Sequence, residues 1–207
     1  MLDVLTVRLL AVLMTIAAVY GLLGFRRAHA TGGGRWEVRA SDNPPRVLQV
    51  VWPVLVFAVS FSPLAIVVAP DLTYGAPLTV AFPLDSAVQV AGFLLWGAGG
   101  LLILWSRRAL GRFMVLEIAV AKDHELVRTG PYARIRHPTY AGAMAMAVGV
   151  ALLFLNVLLA GVAMLVVLMA SYRARKEERL LSSAEAFGET YKAYMATTGQ
   201  FLPRWRG

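Results

Sequence analysis

Residues 140–171 read YAGAMAMAVGVALLFLNVLLAGVAMLVVLMAS, an uncharged apolar run with basic groups at both ends. Arg134 and Arg136 precede it, and Arg173, Arg175, Lys176 and Arg179 follow. A single crossing would put one basic flank on the outer face, against the tendency of Lys and Arg to stay cytoplasmic. Folding the run back near Asn156 removes the conflict, because Asn tolerates left-handed backbone and caps helices. The arms, 140–154 and 157–172, are each about 22–24 Å long if helical. Ala141, Ala145 and Gly149 recur every four positions and are expected to let the two arms approach closely. Met144, Met146, Met164 and Met169 read as core filler.

Three further apolar blocks, 4–25, 47–69 and 84–105, each hold about the 20 residues a bilayer core requires. The first lacks the charge pattern and small-residue site of a cleavable signal. Arg26, Arg27, Arg35, Arg39 and Arg46 fill the connection after the first block. The connection 70–83 carries Asp71 and neither Lys nor Arg, whereas Arg107, Arg108, Arg112, Lys122, Arg128, Arg134 and Arg136 follow the third block. The expected fold is therefore all-α and polytopic, with five transmembrane helices. The last two form a tight hairpin, and a cytoplasmic helical tail follows. The N-terminus is expected outside, with the loops beside the hairpin in the cytoplasm. Two regions are expected. Residues 1–115 hold three N-terminal transmembrane helices and a cytoplasmic loop, 26–46. Residues 116–207 hold the turn before the hairpin, the hairpin itself and the C-terminal helices.

The composition, 58% hydrophobic against 15% charged, is too apolar for a soluble domain of 207 residues. The formal charge of +8 resides between and after the apolar blocks, where anionic headgroups meet it, so nucleic acid is not an expected partner. The absence of cysteine excludes disulfides and a thiol nucleophile. An alanine-, arginine- and valine-rich composition leans towards a bacterial inner membrane. The run Thr31-Gly32-Gly33-Gly34 lacks the Lys-Ser/Thr ending of a phosphate loop, so 30–45 reads as a flexible loop.

The hairpin brings two polar clusters to one membrane face. One holds His124, Tyr132, Arg134, Arg136, His137 and Tyr140; the other holds Arg173, Arg175, Glu177 and Glu178. Taken singly, the tyrosines read as interfacial belt residues, Arg134 as a headgroup anchor and Glu177-Glu178 as a solvated helix face. His124 and His137 are poor metal ligands, lacking a close third donor. Converging donors, acceptors and aromatic faces above an apolar cleft make a ligand site instead. Ser182-Ser183 reads as an interruption, followed by an amphipathic piece with Phe187, Tyr191 and Tyr194 on one face.

The pattern His124-x-Leu126-Val127-x-x-Gly130-Pro131-Tyr132-x-x-x-Arg136-His137-Pro138-x-Tyr140-x-Gly142 resembles the signature of the isoprenylcysteine carboxyl methyltransferase and phospholipid methyltransferase superfamily. Arg173-x-x-x-Glu177-Glu178-x-x-Leu181, then Phe187-Gly188-x-x-Tyr191-x-x-Tyr194 and Pro203, resembles its C-terminal motif. The spacing from Glu178 to Phe187 is about two residues longer than the family pattern, enough to rotate a continuous helix by about 200°. The resemblance implies an integral membrane enzyme that transfers a methyl group from S-adenosylmethionine to a lipidic or small hydrophobic acceptor, a carboxylate, amine or thiol. It implies cofactor contacts from His124, Leu126, Val127, Gly130, Tyr132, Arg136, His137, Tyr140 and Glu178, and catalytic roles for Arg173, Glu177 and Glu178. No metal is implied. Two alternatives stay open: an NADPH-dependent reductase of the sterol-reductase kind, and a non-catalytic membrane scaffold.

Overall fold

The computed structural model describes residues 1–30, 36–39, 46–75, 77–113, 119–121 and 125–204. Seven helices account for most of them: α1 (Val4–Ala30), α2 (Arg46–Val68), the single turn α3 (Pro70–Thr73), α4 (Asp85–Leu110), α5 (Pro138–Phe154), α6 (Val157–Leu181) and α7 (Glu189–Thr197). Two 3-10 turns, Gly111–Phe113 and Gly130–Ala133, and a short antiparallel pairing of β1 (Trp36–Arg39) with β2 (Ala119–Ala121) are the other regular elements among the described residues. Part of the segment read as a flexible loop is thus paired strand. Helices α1, α2, α4 and α6 each contain a stretch long and apolar enough to cross a membrane, and α5 is a shorter apolar helix.

Each long helix buries one stripe and leaves the rest apolar and exposed, as expected where lipid replaces water on the outside. On α1 the buried stripe is Val7, Ala11 and Met14; on α2 it is Trp52, Val59 and Ile66; on α6 it is Ala163, Val166 and Ala170. Leu5, Leu9 and Ile16 of α1 and Leu158, Leu165 and Leu168 of α6 point outward. Met144 and Met169 pack on the core, whereas Met164 faces out, 60% exposed. The spacing of 3, 4 and 7 explains the split, since these positions lie along one side of a helix.

Helices α5 and α6 are joined by two residues and pack on each other. Their division of labour differs from the expected one. Leu155 takes the left-handed conformation, φ 49°, while Asn156 is extended and caps α6, its side chain accepting from the amides of Leu158 and Leu159. The Asn156 amide nitrogen also donates to the Thr73 carbonyl at 3.0 Å.

Of the small residues expected to let the two arms approach, Gly149 faces α4 instead. A Cβ on Gly149 would lie 2.6 Å from the Gly92 carbonyl oxygen, and one on Gly142 2.7 Å from that of Gly99. Both partners belong to α4. The glycines therefore seat α5 against α4, backbone on backbone, and both helices carry glycine seven residues apart, so the match repeats along the contact.

The two ends of the bundle differ in chemistry. At one end, the buried Gln89 side chain donates to Tyr74 Oη (2.6 Å) and the Leu153 carbonyl (2.8 Å), and the Leu155 carbonyl accepts from the Val80 amide. This end holds the connection 70–84, which lacks Lys and Arg. The opposite end gathers the C-terminus of α4, the start of α5, the polar half of α6 and α7. Helix α6 does not stop at Tyr172; it continues unbroken to Leu181 and ends where Ser182 caps it. Residues 182–188 form turns, so the extra length after Glu178 is absorbed outside any helix and α7 is placed independently.

Candidate active site

The site is built on the turn that precedes α5. Gly130 opens it with φ +59°, and a Cβ there would lie 3.1 Å from Trp105 Nε1 and 3.2 Å from the Ala109 Cβ of α4. Left-handed backbone and close seating on α4 both favour glycine here. Pro131 and Tyr132 are buried in the following 3-10 turn. Residues 134–137 then run beside residues 199–200: the Arg136 amide donates to the Gly199 carbonyl (2.8 Å), the His137 amide to that of Gln200 (3.0 Å), and the Gly199 amide to that of Arg134 (3.1 Å). Any side chain at Gly199 would collide with the Leu202 carbonyl.

This alignment presents Arg136 and His137 to α6. Arg136 Nε donates to Glu178 Oε1 at 2.8 Å, and its Nη1 reaches the carbonyls of Met195 (3.2 Å) and Thr198. His137 Nε2 lies 3.1 Å from the same Glu178 oxygen, and Gln200 Nε2 donates to the other at 3.1 Å. An ionised carboxylate can only accept, so His137 Nε2 carries the proton. Glu178 is buried and satisfied from three sides. Glu177 is different: its side chain is 34% exposed, and its Oε2 is 3.8 Å from His137 Nδ1.

An aromatic wall adjoins the charged cluster. The His137 ring stacks on Tyr140 (centroids 5.6 Å apart, 23° between planes), and Tyr140 meets Trp52 of α2 edge to face (5.5 Å, 89°). Arg173, 5% exposed, places its guanidinium carbon 5.6 Å from the Trp52 ring centre, with Nε 3.4 Å from Tyr140 Oη.

Around the turn, Tyr194 donates its hydroxyl to the Tyr132 carbonyl, and Arg128 lies over the Tyr194 ring. Burial pushes the Tyr132 and Tyr194 hydroxyls up to about 12 and raises that of Tyr191 as well, so all three are neutral at physiological pH.

Of the residues singled out in the sequence, Tyr132, Arg136, His137, Tyr140, Arg173, Glu177 and Glu178 come together here. Leu126 and Val127 are half-buried in the extended approach to the turn, and Gly130 shapes the turn itself. His124 lies outside the described residues. Arg134 has its side chain exposed, consistent with a headgroup anchor. Phe187 precedes α7 and packs near Leu180, whereas Tyr191 and Tyr194 are buried on α7. Trp52, Thr198, Gly199, Gln200 and Phe201 were missed. Residues 198–201 have no periodicity to advertise them, and Trp52 sits in a helix whose sequence reads as membrane span alone. One signal was available for the glutamates. The buried stripe of α6 at 163, 166 and 170 continues to 173, 174 and 178, which places Glu178 inward and leaves Glu177 beside it at the edge.

Residues 92–183 match the model of the isoprenylcysteine carboxyl methyltransferase family. Over that segment the chain is similar to the family. The segment takes in Gly92 and Gly99 of α4, the turn, α5 and α6 with all three of Arg173, Glu177 and Glu178. A human protein-S-isoprenylcysteine O-methyltransferase is 33% identical over 93 residues, 45% of this chain. The chain spans about a third of the length of that relative, 32%. Trp52 and residues 198–201 fall outside the family match.

Proposed function

We propose that this chain is an S-adenosylmethionine-dependent methyltransferase acting on a lipidic or small hydrophobic acceptor at the cytoplasmic face of a bacterial inner membrane. The observation that carries this reading is the meeting of Arg173, from the inward stripe of α6, and Glu177, at the edge of that stripe, with His137 and Tyr140 at the basic end of the bundle. The family match supports methyl transfer.

The residues fit the cofactor in kind. His137 and Tyr140 offer stacked aromatic faces, Glu177 an accessible carboxylate for ammonium or ribose hydroxyls, and Leu126 and Val127 apolar cover, with His124 from the preceding segment. S-adenosylmethionine supplies an electrophilic methyl group on a sulfonium. The protein's part is alignment and exclusion of water. Arg173 is suited to hold an anionic acceptor by a bidentate contact. For an amine acceptor, Glu177 is the available base, because Glu178 already accepts from Arg136, His137 and Gln200. Glu178 is thus a positioning residue. It fixes the turn that carries His137.

Five crossings are part of the proposal. Helix α5 has 17 residues, about 25 Å at 1.5 Å each, short for a full crossing. It nevertheless runs along α4 from Gly142, opposite Gly99, to Leu153, whose carbonyl accepts from Gln89 near the other end. The Arg-rich connections at the site end support a cytoplasmic location for that end and an N-terminus outside.

The test is calorimetry of S-adenosylmethionine, with NADPH in parallel, on purified protein in lipid nanodiscs, followed by methyl uptake into an N-acetylated S-prenylcysteine, an aminophospholipid and an apolar thiol. Saturable S-adenosylmethionine binding and methylation of one acceptor are expected. His137→Ala is expected to weaken that binding about tenfold, within the range for losing a charge-assisted hydrogen bond. Binding of NADPH alone would move the assignment to a reductase, and binding of neither would favour a scaffold.

A further inference from the structure

We propose that Tyr191 of α7 is a cofactor-binding residue, its hydroxyl oxygen accepting from the α-ammonium group of S-adenosylmethionine beside Glu177. This rests on the methyl-transfer reading and extends it to a helix beyond the segment that matches the family.

Two tyrosines face inward from α7, edge to face with each other (ring centres 5.8 Å apart, 62° between planes). Both are buried, Tyr191 at 2% exposed and Tyr194 at 5%. The hydroxyl of Tyr194 is committed to the fold, since it donates to the Tyr132 carbonyl. That of Tyr191 has no hydrogen-bond partner among the described residues. A buried phenol without a partner is less favourable than a phenylalanine of the same shape, so packing alone does not explain the oxygen. Nor is that oxygen sealed inside the protein; it opens on the small part of the residue that stays accessible.

The charges around it say what kind of group would fit. Burial first, and then the carboxylates of Glu177 and Glu178, raise the hydroxyl above the ordinary tyrosine range; Arg136 opposes them less strongly. The phenol therefore stays neutral within electrostatic reach of both glutamates, and the balance at its oxygen favours a cation over an anion. Glu178 is not the anion that such a cation meets, because Arg136, His137 and Gln200 already occupy it. Glu177 is: its side chain is 34% exposed, and His137 Nδ1 stands 3.8 Å away, beyond hydrogen-bond range.

An ammonium has three donors and no acceptor. One carboxylate balances its charge, and a neutral oxygen takes a second donor without adding an anion that would stand uncompensated in the empty site. S-adenosylmethionine carries one such group, at its amino-acid end. Its sulfonium is also a cation but has no hydrogen to donate, so Tyr191 marks where the amino-acid end lies and leaves the reactive methyl group to the rest of the site.

The test is calorimetry on the full chain in nanodiscs with two probes. One is S-adenosylhomocysteine; the other is its desamino analogue, in which hydrogen replaces the ammonium and the carboxylate is kept. Tyr191→Phe is expected to weaken S-adenosylhomocysteine about tenfold, the scale of one hydrogen bond to a charged group. The affinity of the desamino analogue should stay within about twofold of wild type. Unfolding in detergent supplies a readout without ligand. Tyr194→Phe should lower the midpoint, because it strips the Tyr132 carbonyl of its donor. Tyr191→Phe should leave the midpoint unchanged or raise it. The proposal is overturned by unchanged affinity in Tyr191→Phe, by equal weakening of both probes, or by a midpoint lowered as far as in Tyr194→Phe. A wild-type chain that binds neither S-adenosylmethionine nor S-adenosylhomocysteine removes the methyl-transfer reading and this contact with it. Failure of the contact alone leaves wild-type binding intact, so the two failures are told apart.

Discussion

Replacing Glu178 by Gln isolates the charge that holds the C-terminal cap. The Gln amide is nearly isosteric, and its oxygen can still face Arg136 and His137, while Gln200 can turn its own amide to keep its bond. What is lost is the negative charge opposite Arg136, whose side chain is 10% exposed against 11% for Glu178. Breaking a buried pair costs about 3–5 kcal/mol. The low end applies, because Arg136 retains the Met195 and Thr198 carbonyls. About 3 kcal/mol raises the opening constant of the cap roughly a hundredfold, at 1.36 kcal/mol per factor of ten. Hydrogen exchange in nanodiscs reads this at the Arg136, His137 and Gly199 amides, which bridge the two segments. The expected result is loss of protection there, with α4 and α5 unaffected and Glu177→Gln close to wild type. Wild-type protection in Glu178→Gln, or equal loosening in Glu177→Gln, would refute the division of roles between the two glutamates.

Three further outcomes are expected. Gly149→Ala forces a Cβ to within 2.6 Å of both the Gly92 carbonyl oxygen and the Trp96 amide nitrogen, so it should destabilise the bundle by about 1–3 kcal/mol in detergent unfolding. Gly97→Ala, with nothing within 4 Å, should not. Asn156→Ala removes the cap of α6 and the bond to Thr73, costing about 1–2 kcal/mol by the same measurement. Burial holds Tyr132 and Tyr194 protonated up to about 12. Their contribution is therefore complete below the unfolded value of about 10 and is lost as pH rises through about 12. Tyrosinate absorbance should appear late for these two, together with release of the α7 segment; titration of every tyrosine near pH 10 in the folded protein would contradict it.

Much of the architecture could be read from periodicity and charge. Apolar length marked the candidate spans, and basic flanks on both sides of 140–171 led to the expectation that the chain returns near Asn156. These are local properties, set by the cost of burying charge in hydrocarbon and by the pitch of a helix. The motif residues at 130–140 and 173–178 were legible for the same reason: they are polar groups where only apolar ones are otherwise tolerated.

Tertiary structure alone decided the partners. The sequence shows small residues on α5 but not which helix they meet, since a glycine stripe fits any neighbour that also carries glycine; Gly92 and Gly99 of α4 settled it. It shows adjacent glutamates, yet one turn of 100° buries Glu178 among Arg136, His137 and Gln200 and leaves Glu177 at the edge. It gives no sign that 198–201 would lie along 134–137, because backbone pairing of irregular segments leaves no side-chain pattern. Nor does it announce that Trp52, remote in sequence, would face Arg173. Local chemistry wrote the helices and the charges; which charge faces which depends on packing between helices that no single stretch of sequence contains.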